Sequence, residues 1–160
     1  MPNILKGIGA SSGIAIAKAY RLVEPNLETS KKTLENTHDE IERFQNAINQ
    51  SSAELETLRD KTREKLGADK AAIFEAHLLV ANDPEFLGPV KEKIEAEKVN
   101  AEFALKEVSN MFVSMFEQME NEYMRERASD IKDVTKRILA HLLGVQLPAP
   151  SLIAEEVIVI

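Results

Sequence analysis

The sequence predicts a mainly α fold, a four-helix-type bundle of helical hairpins held between two strand-forming ends. Three observations predict it. Long Ala/Leu/Glu/Lys-rich windows carry apolar residues at helical spacing, Gly, Asn and Asp-Pro signals punctuate those windows, and β-branched or period-2 runs occupy the two termini. With 160 residues and 44% hydrophobic content the chain is the size of one domain and can fill a core.

The elements follow in order. Ile14, Ile16, Tyr20 and Leu22 alternate with Ala15, Ala17, Ala19 and Arg21, the period of a half-buried strand, although Lys18 interrupts the larger-residue side. From Lys31 to Leu66 the residues Leu34, Ile41, Phe44, Ile48, Leu55 and Leu58 keep to one helical face. Thr29 or Ser30 is the expected N-cap and Gly67 the stop. A second helix is expected over Asp69–Ala81, with Ile73, Ala76, Leu78 and Val80 among its less polar residues. Asn82-Asp83-Pro84-Glu85 then breaks and restarts the chain: Asp83 can cap, Pro84 needs no N–H in a first turn, and Glu85 sits near the positive helix end. This third helix should reach Glu97, bent near Gly88-Pro89.

Asn100 is the expected cap of a helix through Phe103, Val108, Phe112, Met115 and Met119, whose Met and Phe stripe reads as bundle core. Helical pattern resumes at Tyr123 and runs through Ile131, Val134, Ile138 and Leu142 to Gly144; periodicity leaves open whether 118–122 bends. Leu147-Pro148-Ala149-Pro150 is the return linker, and Glu156–Ile160 is a second strand.

Composition excludes several functions. A net charge of −7 argues against a general polyanion binder and suits a basic protein partner. The chain has no cysteine, which removes disulfides, thiolate metal sites and thiol catalysis. Met1-Pro2-Asn3-Ile4-Leu5-Lys6-Gly7 lacks the pattern of a signal peptide, and no apolar run approaches the ~20 residues of a membrane span, so the expectation is a soluble cytoplasmic protein.

Gly7-Ile8-Gly9-Ala10-Ser11-Ser12-Gly13 could pass for a dinucleotide-binding turn. That fold needs a helix and a second strand directly behind it, whereas Val23-Glu24-Pro25-Asn26 and a long helix follow here; a nucleotide-binding oxidoreductase is therefore a decoy reading. His38, beside Asp39 and Glu40, reads as solvated. His141 falls in a last helical turn, where a cation is favoured. His77 reads as a packed structural histidine, since no glycine-rich anion cradle accompanies it. The three histidines are too scattered for a metal site, and Ser11, Ser12, Ser51 and Ser52 have no placed His/Asp set. Asp69, Glu75 and Glu85 are different, because they flank a helix break that carries Leu79 and Phe86.

The segments Lys6–Ala15, Gly67–Glu85 and Asn121–Arg137 together resemble Enzyme I of the bacterial phosphoenolpyruvate:sugar phosphotransferase system over essentially the whole chain. The resemblance implies a helical subdomain (26–145) that binds the small carrier HPr. It is inserted into an α/β swivelling phosphohistidine domain, represented only by an N-terminal strand region (1–25) and a return linker and strand (146–160). It further implies a parent enzyme, phosphoenolpyruvate-protein phosphotransferase, that uses Mg2+ and passes phosphate from phosphoenolpyruvate through a histidine to HPr for sugar uptake. That histidine belongs to a Gly-Gly-x-Thr-Ser-His segment, which does not occur here, so the chain alone is expected to be inactive and to hold no catalytic residue, cofactor or metal. By the same resemblance the docking roles fall on Asp69, Lys70, Ala72, Glu75, Leu79, Glu85 and Arg127, with Phe86 as an apolar neighbour; Ala68 and Pro84 stand where relatives can carry acidic residues. Neither nucleic acid nor membrane is expected as a partner. The terminal strands are expected to be poorly ordered or paired between two copies in a homodimer. The alternative to docking is a structural helical interaction module unrelated to phosphotransfer.

Overall fold

The computed structural model describes residues 2–150 and 153–160; Met1, Ser151 and Leu152, which fall in the expected terminal segments, lie outside the described residues. The order is β1 (Lys18–Tyr20), α1 (Thr37–Leu66), α2 (Ala68–Ala81), α3 (Pro84–Glu97), α4 (Ala101–Glu117), α5 (Glu122–Leu143) and β2 (Val157–Val159). The mainly α bundle expected from the pattern is the fold observed.

α1 is the spine, packing against every other helix. Phe44, Ile48 and Leu55 on its inner face are fully buried with Val90, Ile94, Leu105 and Ile138 from α3, α4 and α5. Its start differs from expectation. Asn36 is the cap, its Oδ1 accepting from Asp39 N–H at 3.1 Å, rather than Thr29 or Ser30. The reason is tertiary: the backbone at 30–34 is already engaged with the segment entering α4. Leu34 N–H donates to Lys98 O, Asn100 N–H to Lys32 O, Lys32 N–H to Asn100 Oδ1, and Asn100 Nδ2 to Ser30 O. A residue committed to such pairing cannot also begin a helix.

Asn100 thus precedes α4 as expected but does not cap it with its side chain. Glu40 on α1 supplies a carboxylate instead, Oε2 accepting from Ala101 N–H at 3.1 Å, an anion at the positive helix end. Arg43 completes the junction. It donates to Glu40 (2.5 Å), to both oxygens of Glu102 (2.7 Å) and to Leu142 O at the end of α5 (3.1 Å).

The other boundaries follow local chemistry. Asp83 Oδ1 accepts from Glu85 N–H (2.9 Å) to start α3 with Pro84 in its first turn, and the helix continues unbroken past Gly88-Pro89. Residues 118–121 break the helical run, and Asn121 caps α5 through Tyr123 N–H. Gly144, at a φ of 69°, closes α5 while Val145 N–H returns to Ala140 O, a conformation that suits glycine.

The two ends pair with each other in one chain. β1 and β2 are parallel in the register Lys18↔Val157, Ala19↔Ile158 and Tyr20↔Val159, extended by Leu22 N–H to Ile160 O. Within the chain the two strands are thus ordered against each other, and the whole bundle acts as the crossover that a parallel pair needs. The strand at the N-terminus is also shorter than its alternation suggested, since Ile14 and Ile16 are exposed and precede the pairing.

Replacing Arg43 with Met should destabilise the fold by about 2 kcal/mol in urea unfolding, because two buried carboxylates lose their cation while Arg43 itself is only partly buried. Burial pushes the Glu102 carboxyl up, but hydrogen bonds from Arg43, its own backbone and Asn100 outweigh it and hold it below the ordinary glutamate range. A depressed carboxyl stabilises above its unfolded value of about 4.3, and that contribution is lost as pH falls through the folded value. Stability followed from pH ~5 to ~3 should accordingly fall less steeply in Glu102→Gln than in the parent.

Candidate functional site

α2 carries apolar residues on two sides. Ala71, His77, Val80 and Ala81 are buried against α1 and α5. Asp69, Lys70, Ala72, Ile73, Glu75 and Leu79 are all exposed, with Leu79 at 67% and Ile73 at 51%. Ala72, Glu75 and Leu79 follow i, i+3, i+7 spacing and share one face. Glu75 accepts from Arg63 of α1 in an exposed pair, which leaves Asp69 and Glu85 as the acidic groups of the cluster without an ion pair among the described residues.

The corner after α2 is held rigidly. Asn82 Nδ2 donates to Leu78 O (2.8 Å) and to Ser52 of α1 (3.2 Å). Beyond it, Glu85 and Phe86 of α3 meet Arg127 of α5 in a notch of about 120 Å³ completed by Phe112, Phe116 and Ile131. A small-molecule pocket needs roughly 300 Å³ or more, so this notch suits a single side chain of a partner.

The structure therefore brings Ala72, Glu75 and Leu79 to one helix face with Asp69 at its edge, and Glu85, Phe86 and Arg127 to one notch; Lys70 is exposed in the first turn of α2 but lies on the His77 side of the helix. Phe86 is 3% exposed and packs edge-to-face on Phe112 (5.9 Å, 79°), so it forms the floor of that notch. Phe112, read from the sequence only as helix core, stacks on Phe116 at 6.2 Å; their i, i+4 spacing was the available signal. The Met half of that stripe corrects the core expectation: Met115 and Met119 are exposed, because Phe112 and Val113 occupy the inner side of α4.

Other candidates resolve differently. His38 is exposed, as expected. His141 meets a specific carboxylate: its Nε2 lies 2.6 Å from Glu54 Oε2, and Glu54 also accepts from Arg137. The Gly7–Gly13 segment is exposed and leads into no helix, and a Cβ at any of its glycines would meet nothing within 4 Å, so no phosphate cradle forms there. Among the described residues no group of three or more His, Asp or Glu could hold a metal ion, so the Mg2+ implied by resemblance finds no ligand set in them. No helix among them is long and apolar enough to cross a membrane. A larger open cleft of about 740 Å³ between the 20–23, 146–149 and 153–157 segments lies apart from the α2 face.

Comparison with known proteins bears on what this arrangement belongs to. Residues 6–127 match the family described as PEP-utilising enzyme, N-terminal. The chain belongs to that family. It is 62% identical over 156 residues to the phosphoenolpyruvate-protein phosphotransferase of Bacillus subtilis (strain 168), covering 98% of this chain and 27% of that protein. Identity to the phosphoenolpyruvate-protein phosphotransferase of Listeria innocua is 58% over 160 residues, covering 100% of this chain and 28% of that one. The chain thus spans little more than a quarter of the length of these relatives. Among solved structures it is similar to an NMR solution structure of Enzyme I (nEIt), with a TM-score of 0.87 and 38% identity, covering 98% of this chain and 64% of that one. A likeness to the N-terminal domain of Enzyme 1 – Nitrogen, TM-score 0.70 at 23% identity over 82% of this chain and 56% of that one, supports the fold alone. The family's N-terminal helical architecture is the one seen here.

The burial contrast gives a direct test of which residues are free to serve a partner. Leu79→Asp should leave thermal and urea stability within about 0.5 kcal/mol of the parent, as exposed substitutions do. Phe86→Ala should cost about 3 kcal/mol by emptying a core position.

Proposed function

We propose that this chain is the HPr-docking part of a phosphoenolpyruvate-protein phosphotransferase, receiving the carrier on the outer face of α2 and the α2–α3 corner. One observation carries the reading. Leu79, a large apolar side chain 67% exposed, stands on a helix whose other side is buried, with Glu75 one turn before it, Asp69 at the start of the same helix and Glu85 at the start of the next, all three exposed. An apolar centre in an acidic rim is the arrangement that steers a basic partner by charge and holds it by desolvation. The net charge of −7 favours the same class of partner.

In this reading Ala72 keeps the helix surface low beside Leu79. Lys70 and Arg127 set register by pairing with acidic or carbonyl groups of the carrier, and Phe112 with Phe116 line the notch that takes one of its side chains. The parent enzyme would take phosphate from phosphoenolpyruvate onto a histidine and pass it to HPr, with Mg2+ serving its phosphoenolpyruvate-handling part. His38 is a surface residue, His77 is buried and His141 is engaged with Glu54, so none of them is assigned as the phosphate carrier. Docking by this chain needs no chemistry of its own.

Titration of HPr, read by calorimetry or chemical-shift perturbation, separates this reading from a structural module without a phosphotransferase partner. Leu79→Asp should weaken binding by about 1–3 kcal/mol while the variant stays folded. Glu85→Lys should mainly slow association and flatten its dependence on salt. Unaltered affinity in a folded Leu79→Asp variant, or no HPr binding by the parent chain, would remove the proposal.

A further inference from the structure

Directly behind the docking face lies a polar cluster that docking does not use. His77 points from α2 towards α5 with its side chain only 7% exposed and its ring edge-on to Phe74. Its Nε2 is buried without a hydrogen-bond partner. Two carboxylates of α5 stand close by: Asp130 Oδ1 at 3.4 Å and Asp133 Oδ2 at 3.7 Å, within ion-pair range but without the alignment of a hydrogen bond.

Three of the other cations around this cluster are already engaged. Lys136 of α5 pairs with Glu24 of the segment before α1 at 2.9 Å, and Arg137 of α5 with Glu54 of α1. On the α1 side of α2, Arg63 is held by Glu75. Arg127 of α5 acts on Asp130 by charge alone, without an ion pair among the described residues. Among those residues His77 is thus the one group positioned between Asp130 and Asp133 that can become a cation. Burial, helped by Asp133, pushes the Asp130 carboxyl up despite His77 and Arg127, which marks two crowded acids short of positive charge. A cavity of about 250 Å³ between α5 and the 22–24 and 147–150 segments reaches both His77 and Asp133, giving water and protons a route in.

We propose that His77, Asp130 and Asp133 form a proton-operated tie between α2 and α5, closed when the imidazole is cationic. Proton uptake turns both ring nitrogens into donors and places positive charge between two carboxylates, satisfying a buried polar atom that is otherwise unpaired. No covalent bond changes. Because Glu75 and Leu79 lie two residues to either side of His77, the tie governs how firmly the outward face is held. Its effect on docking rests on the HPr reading above; the tie itself does not.

Amide hydrogen exchange and imidazole nitrogen shifts, measured by NMR on the intact chain, test it. On acidification from about pH 7.5 to about pH 5.5, protection of α2 amides, corrected for intrinsic exchange, should rise roughly fivefold relative to α4. His77→Gln and the double variant Asp130→Asn/Asp133→Asn should each abolish the rise; the second keeps the test sound if the first folds poorly. A flat α2 profile in the parent, or a rise that persists in either variant, overturns the tie. HPr affinity across the same pH range is the separate arm: binding with a flat exchange profile defeats the tie alone, and a pH-dependent profile without HPr binding defeats the docking reading alone.

Discussion

The junction around Arg43 is the constraint on which the rest of the bundle depends. A single guanidinium joins Glu40 on its own helix, Glu102 on α4 and the Leu142 carbonyl at the end of α5, so three helix ends meet at one point. Each carboxylate also serves a second partner. Glu40 satisfies the first free N–H of α4, and Glu102 accepts from Asn100, which in turn holds the 30–32 backbone. The hydrogen bond with Glu40 is the chief reason the guanidinium holds its proton even more firmly than usual. Buried charges persist only when paired and hydrogen-bonded, and here each is both.

That junction lies at one end of α1, while the outward face of α2 lies towards the other, where α1 and α2 form a hairpin across Gly67. The intervening helix carries the constraint. α2 has an inner side sealed by α1 and α5, so its outer residues project from a fixed backbone and do not rearrange to hide themselves. Leu79 and Ile73 remain exposed because Ala71, His77 and Val80 already fill the space available behind them. A surface of this kind loses little conformational freedom when a partner covers it.

Much of the fold was legible because it is written in local chemistry. Asp83-Pro84, Gly67 and Gly144 mark helix boundaries through capping and backbone conformation, which depend on neighbours within a few residues, and each boundary appears where that chemistry places it. The acidic residues Asp69, Glu75 and Glu85 flanking the break that carries Leu79 and Phe86 were legible as well, whereas the further docking roles came from the resemblance. The join of Glu85, Phe86 and Arg127 was not: it needs α3 and α5 side by side, and no single-helix period reports which helices are neighbours.

By itself, then, the sequence determined the mainly α bundle, the order of its helices and most of their ends, because these rest on propensity, capping and helical period. Tertiary structure alone decided the cap at Asn36, the carboxylate of Glu40 at the start of α4, the notch floor at Phe86, the exposed Met stripe and the pairing of β1 with β2. The physical reason is common to all five. Each depends on which buried partner reaches a backbone group or apolar side chain first, a competition settled between residues far apart in the chain.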